Sequence, residues 1–379
     1  MKKFAIAASV GFALASGMGS AYADVLPTPA LPGPIVGNAS PIAFDAGPVG
    51  TIDVGGVVSG LALWQTNRSL TPGDHQDLVD LSNGQLFVQK TTGLIQFYLQ
   101  VGGYSLPSLG APYVRASSAI NEDFGVVPVG YLKIAPTDSF NIEVGKLPTL
   151  IGAEYTFTFE NMNIERGLLW NQEPAVSRGV QANYTSGPIA ISASVNDGAY
   201  SNRYNWVSGS LAYTFSPADT VSAVGGGYLG NGGYFSAVNS ESVYNLIWTH
   251  TSGPWTITPY AQYANIHTID AFPSSSTWGG AVLANYSIDP NWNLSGRVEY
   301  IDQSAGFDPM LYGGKSSAWS FTVTPTYQYK IFFARAEASY VTASDIGLYS
   351  SLGSPGPGFG VSGAKSDQFR LLVETGILF

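Results

Sequence analysis

The sequence contains no cysteine, which removes disulfide scaffolds, thiolate nucleophiles, cysteine zinc sites and a lipid-modified N-terminal cysteine together. Charge is scarce as well: Lys, Arg, Asp and Glu make up 11% of the 379 residues, less than half the ~25% usual in a soluble domain. With 16 Lys plus Arg against 26 Asp plus Glu, the formal net charge of −10 gives no footprint for nucleic acid, and no nucleic-acid partner is expected. There are only 4 Met against 45 Gly and 23 Pro, poor material for long helices. Beyond the N-terminal segment no apolar run approaches the ~18 to 20 residues a spanning helix requires. The 3 histidines, His75, His250 and His267, lie far apart and suggest neither a metal cluster nor a relay, so no cofactor is expected. No local motif sets a Ser or Asp nucleophile beside a base, so the chain does not read as an enzyme.

What is present begins with an address. Lys2 and Lys3, the short apolar stretch Phe4 to Ala15, and the small-x-small site Ala21, Tyr22, Ala23 have the layout of an export signal over residues 1–23. Residues 24–50 hold Pro27, Pro29, Pro32, Pro34, Pro41 and Pro48 and read as a periplasmic tail or linker, too extended and too short to be a plug.

From residue 51 onward the period is two. Trp319, Phe321, Val323, Pro325 and Tyr327 alternate with Ser320, Thr322, Thr324 and Thr326, as expected of a strand with one greasy and one wet face. Ile189 to Asn196, Trp292 to Tyr300 and Phe332 to Tyr340 repeat the pattern. A soluble sandwich would carry many Lys and Glu on its wet face. Here that face is Ser, Thr, Asn, Gln and Gly, and the greasy face begins and ends in Trp or Tyr, as at two lipid boundaries.

Connection lengths alternate too. Short turns rich in Gly, Pro, Asp and Ser near 91–93, 136–139, 185–188, 216–219, 251–254, 288–291 and 328 separate long connections at 67–80, 105–122, 147–175, 197–204, 230–239, 267–276, 303–315 and 342–366. The pairing predicts a closed antiparallel transmembrane β-barrel of about sixteen strands, with fourteen or eighteen as neighbouring counts. The strands run over 53–66, 81–91, 94–104, 123–134, 139–147, 176–185, 188–196, 205–215, 219–229, 240–251, 254–266, 277–288, 291–302, 316–327, 329–341 and 367–379. An even count puts both ends in the periplasm, and a barrel of this size is too wide for side chains to fill. The chain closes on Phe369, Leu371, Val373, Ile377 and Phe379 on one face, and a terminal aromatic such as Phe379 resembles the strand by which barrel-assembly machinery recognises outer-membrane proteins.

The stretch Gly145, Lys146, Gly152, Glu154, Asn161, Asn163, Arg166, Gly167, Leu168, Leu169, Pro174, Arg178, Gly179, Val180 resembles the signature region of the outer-membrane β-barrel porin family described as OmpL-like. The resemblance is firm over this stretch and is carried by strand rhythm elsewhere. It implies a diffusion channel in the outer membrane of a Gram-negative-type bacterium, without naming a solute.

Residues 147–175 form the third and longest connection, and such length inside a compact protein is usually functional. Folded inward, its Glu154, Glu160, Glu165 and Glu173, outnumbering Arg166, would set a negative field at a pore constriction and favour cations. The alternative is an outward loop capping the barrel or packing at a subunit interface. Strand alternation points Glu143, Arg297, Glu299, Arg335, Glu337, Arg370 and Glu374 into the lumen, where water spares them the ~2 to 4 kcal/mol cost of facing lipid. Arg297, Arg335 and Arg370 would form a basic wall opposite an acidic loop, or Arg297 with Glu299 and Arg335 with Glu337 would simply neutralise each other. Gly225, Gly227 and Gly230 fit a G-x-G-x-x-G pattern, but a loop and not a helix follows, so these glycines read as places for close packing. The leading expectation is a porin passing small hydrophilic solutes or ions, embedded in outer-membrane lipid and compatible with a homotrimer. The alternative is a structural or adhesive barrel working through its external loops.

Overall fold

The structure, a computed structural model, describes residues 28–38, 40–229, 241–267, 274–304, 311–347 and 357–379. The expected export signal and Gly230 lie outside them. The strands are β1 Ile42–Asp45, β2 Thr51–Gln65, β3 Asp77–Lys90, β4 Ile95–Tyr104, β5 Val129–Thr137, β6 Phe140–Pro148, β7 Val176–Ser186, β8 Ile189–Asn196 and β9 Trp206–Ser216. They continue as β10 Asp219–Tyr228, β11 Glu241–Ser252, β12 Trp255–Ile266, β13 Ser275–Ser287, β14 Trp292–Gln303, β15 Ser317–Tyr329, β16 Phe332–Ser344 and β17 Asp367–Leu378. Each of β2 to β17 pairs antiparallel with its sequence neighbour, and β17 pairs with β2 to close a sixteen-strand barrel. The seam extends to the last residue, where Phe379 and Gly56 exchange backbone hydrogen bonds of 2.9 and 2.8 Å.

The wall is inside-out relative to a soluble sheet. On β15 the greasy Trp319, Phe321 and Val323 are exposed on the outside, while Ser320, Thr322 and Thr324 are buried within. Rings gather at both strand ends: Trp255 with Tyr286 and Trp292 with Tyr327 near the short turns, Tyr263 with Trp278 and Tyr300 with Trp319 near the long connections, at centroid distances of 4.4 to 5.0 Å. These are the two aromatic belts of a membrane barrel. The expected break near 91–93 is a turn, with Gly93 at φ +81 between β3 and β4.

Three features depart from the sequence reading. β5 starts at Val129 and not near 123, because Ala116–Asp123 coils into helical turns whose first N–H, on Ala116, donates to Asp80 Oδ2 at 3.0 Å. β1 is an extra strand: residues 42–45 fold back in a hairpin, with Gly50 at φ +91, and pair with residues 51–54 of β2. The third departure is the Pro-rich segment, whose residues 28–36 are not a free tail. Ile35 is fully buried among Val57, Phe87, Phe333 and Leu378 of the wall, inside the mouth at the short-turn end.

Candidate functional site

The connection between β6 and β7, residues 149–175, turns into the barrel. Three apolar feet fix it there. Phe157 and Phe159 pack with Phe87, Tyr98 and Phe333, Ile164 with Leu61, Leu63 and Leu372, and Leu168 and Leu169 with Ile301, Ala281 and Tyr260. These contacts need inward-facing apolar residues, and β2 to β4, β12 to β14, β16 and β17 supply those just named. Val243 and Ile247 are buried inside while Tyr244, Leu246 and Trp248 are exposed outside, so β11 is apolar on both faces. The lumen is therefore not wet throughout.

Between the feet the wall grips the loop by its backbone. Glu337 accepts the Ile164 and Glu165 N–H groups at 2.5 and 3.1 Å, and Glu299 accepts those of Leu168 and Leu169 at 3.0 and 3.4 Å. Arg335 donates to the Thr158 and Asn161 carbonyls at 2.9 and 3.0 Å. Arg297 donates to Glu154 at 2.6 Å and to the Glu165 carbonyl at 2.8 Å, and Arg370 to Glu165 Oε1 at 2.6 Å. Glu374 accepts the Thr158 hydroxyl at 2.7 Å. Charge-assisted bonds of this kind are the strong ones, and here each also satisfies a loop group that would otherwise be buried without a partner.

The inward wall charges expected from the strand register thus converge with the loop. Arg297 does pair with Glu299, at 3.2 Å. Arg335 does not pair with Glu337 on its own strand; its carboxylate is Glu374 across the β16–β17 ladder, at 3.5 Å. The basic wall does not face open solvent. Arg297, Arg335 and Arg370 are buried under the loop, so a field across the lumen from these three is replaced by neutralising contacts.

The loop's own charges divide. Glu165 is drawn to the Arg370 wall, away from any passage. Arg166 is fully buried, its guanidinium lies 4.9 Å from the Trp170 ring and makes no hydrogen bond, and burial lowers its pKa to about 10. Burial, reinforced by Glu154 and Glu299, raises the Glu173 carboxyl well above the ordinary range, and both its oxygens lack partners. Glu160 accepts the Phe157 N–H at 3.1 Å and is pushed up to about 8 by burial. Glu154 is also raised by burial, with Arg297 opposing.

Two glycines permit this density. A β-carbon at Gly167 would lie 2.0 Å from the Glu299 carboxylate, and one at Gly152 would lie 1.7 Å from that of Glu173. Gly225 and Gly227 likewise leave room for Tyr244 and Ser242 of the neighbouring strand, a packing role. Sequence reasoning missed the polar partners on the wall, such as Asn245 accepting the Gly152 N–H at 3.1 Å and Gln262 donating to the Leu169 carbonyl at 3.0 Å. A lone Asn or Gln on an inward strand face carries no sign of what will dock on it. It also missed residues 105–111, which fold in alongside, where Arg370 bonds the Ser108 and Ala111 carbonyls at 2.7 and 2.6 Å.

The loop leans on β11 to β17 and on β2 to β4, and leaves much of the remaining wall uncovered. There a cavity of about 110 Å³, partly open to solvent, lies between the loop and the wall of β4 to β10. Tyr98, Gln100, Tyr131, Glu143, Gln181, Ser210 and Ser222 line it from the wall, Glu154, Phe157 and Glu160 from the loop, and Thr28 to Ala30 from the N-terminal segment. The Ser210 and Ser222 hydroxyls have no protein partner, and Glu143 meets Lys133 across the strand pair at 3.7 Å. Among the described residues no group of three or more His, Asp or Glu side chains is arranged to hold a metal.

Over residues 51–379, the whole barrel, the chain matches the family described as Putative beta-barrel porin-2, OmpL-like. The chain belongs to this family. This OmpL-like porin family chain is an outer-membrane β-barrel protein, and its solved relatives in shape are outer-membrane barrels too. It is similar to the outer-membrane-expressed OmpT of Vibrio cholerae at a TM-score of 0.59 and 14% identity, covering 90% of this chain and 100% of that one. It is similar to the anion-selective porin from Comamonas acidovorans at 0.59 and 10%, covering 86% and 99%. The in-vitro-folded trimer form of Vibrio cholerae OmpT matches at 0.57 and 12%, covering 86% and 99%. At these identities the likeness is one of fold. No curated protein matches the chain.

Proposed function

We propose that this OmpL-like barrel is a passive outer-membrane channel for small hydrophilic solutes or ions, and that solutes travel off-axis between residues 149–175 and the wall of β4 to β10. One observation carries the reading: the side of the lumen the loop leaves uncovered is lined by small polar groups with unused hydroxyls, Ser210 and Ser222, beside Gln100 and Gln181. A dry, packed interior has no use for such groups, whereas a hydrated one satisfies them at no cost. Of the acidic groups bordering the cavity, Glu154 is paired with Arg297 and Glu160 holds its proton up to about pH 8, so Glu143 supplies the negative charge on the passage wall, favouring cations or neutral polar solutes over anions. Glu165, with Arg297, Glu299, Arg335, Glu337, Arg370 and Glu374, holds the constriction in place. Passive diffusion needs no catalytic group or cofactor. Three barrels side by side, with the exposed apolar outer faces buried in lipid and against each other, suit the assembly, and Phe379 serves as the assembly signal.

A second reading has its own support. The loop and residues 28–36 occupy much of the interior, as in a barrel whose working parts are its external surface. Planar-bilayer recording separates the two. Stable ohmic steps whose cation preference falls in the Glu143→Gln variant support the channel, and a folded barrel that never conducts supports the structural reading.

A further inference from the structure

We infer that residues 28–36 are a latch that closes the short-turn end of the passage and holds residues 157–162 in the lumen. The inference rests on the diffusion reading above. Pro29, Pro32 and Pro34 keep the segment extended before it docks, so docking sacrifices little chain entropy. Its first residues, Thr28 to Ala30, form part of the cavity lining. The Thr28 carbonyl accepts Gln89 Nε2 at 2.7 Å.

Further along, the segment meets the lumen loop directly. A β-carbon on Gly33 would lie 2.5 Å from the Asn161 carbonyl oxygen and 3.1 Å from the Met162 nitrogen, so the two backbones touch as only glycine permits. Ile35 then fills a pocket made jointly by the loop's Phe157 and Phe159 and the wall's Val57, Phe87, Phe333 and Leu378. At the rim Val36 exchanges two bonds with the Gln328 side chain, its N–H donating to Oε1 and its carbonyl accepting from Nε2, both at 2.8 Å. The segment therefore ties the tip of the loop to the wall of β15 to β17, β2 and β3, while its first residues, Thr28 to Ala30, reach the cavity on the β4 to β10 side. It holds no strand ladder with either, and its grip is one buried side chain, one backbone contact and a few hydrogen bonds. An attachment of that kind can release without unfolding the barrel.

Single-channel conductance in planar bilayers tests this with four proteins: the full chain, a chain lacking residues 28–36, the Ile35→Asp variant, and a chain with residues 150–174 replaced by a short Gly-Ser link. Heat-modifiable gel migration establishes that each is folded, and Ile35→Asp keeps the test alive if the deletion fails to assemble. The latch predicts at least a twofold rise in conductance or open-state occupancy for the deletion and for Ile35→Asp, with the loop replacement conducting more still. Wild-type conductance in both latch variants, with a rise only on loop replacement, overturns the latch and leaves the diffusion reading standing. Silence in all four folded proteins overturns both.

Discussion

The two sides of the barrel wall are built from different chemistry. From β11 round to β17 the inward face carries Arg297, Glu299, Arg335, Glu337, Arg370 and Glu374 together with Val243, Ile247, Leu283 and Ile301, and all of it is spent on the lumen loop. From β4 round to β10 the inward face is mostly Gln, Asn and Ser, with Glu143 and Lys133 as a facing pair, and it borders the cavity. Charge on an inward strand face is therefore not in itself a sign of a charged passage. In this molecule most of it is structural, and the proposed passage runs where the wall is nearly neutral.

The largest effect expected from breaking that contrast is on the gripping side. Arg297→Met leaves Glu154 and Glu299 buried without their cation, a loss of about 3 to 5 kcal/mol when one member of a buried pair is removed. The heat-modifiability midpoint on gels should fall markedly, and current noise should rise as the loop loosens. Gly167→Val comes next, because its β-carbon would stand 2.0 Å from the Glu299 carboxylate. Overpacking of this kind costs roughly 1 to 3 kcal/mol, read as a smaller drop in the same midpoint. On the passage side Glu143→Gln should leave the midpoint near wild type but reduce the cation preference seen in reversal potentials. Glu165→Gln should do the reverse, weakening the loop's hold through Arg370 with little direct effect on selectivity.

The smallest effect is on pH. The Glu160 carboxyl, pushed from 4.5 to about 8 by burial, keeps its proton in the docked loop and loses it near 4.5 once the loop is free. The docked state then binds more protons than the undocked one between about pH 4.5 and 8, so the loop is held most firmly below that window and less firmly as pH rises through it. Loop-dependent current noise should grow across that range, and Glu160→Gln should flatten the dependence.

Much of the fold was legible because lipid imposes a strict rule on the outer face. Trp292, Leu294, Val298 and Tyr300 had to alternate with Asn293, Ser295, Arg297 and Glu299, and turn residues such as Gly93, Gly187 and Gly253, all at positive φ, had to stand between strands. The inner face obeys no comparable rule. That Glu143, Arg297 and Glu374 point inward could be read from parity, but whether they meet water or a folded loop depends on contacts 100 to 300 residues apart, such as Arg297 with Glu154 and Glu374 with Thr158. Tyr260 and Tyr263 show the limit in miniature. Three residues apart on β12, they stand on opposite faces, Tyr260 buried among the loop's residues and Tyr263 outside against Trp278 with ring centroids 4.4 Å apart. The Pro-rich composition of residues 24–50 carried no sign of where the segment docks, since Ile35 and Gly33 find their partners only in the assembled barrel.

The absence of native cysteine makes the central claim directly testable, because any introduced thiol is the sole target of a thiol reagent. Ser210→Cys places one on the passage wall and Ser320→Cys places one on the wall beneath the loop, where Ser320 bonds Glu299 at 2.5 Å. Adding a positively charged methanethiosulfonate reagent during bilayer recording should reduce current through the first variant and leave the second unchanged. Equal block of both, or block of the second alone, would contradict a passage confined to the β4–β10 side.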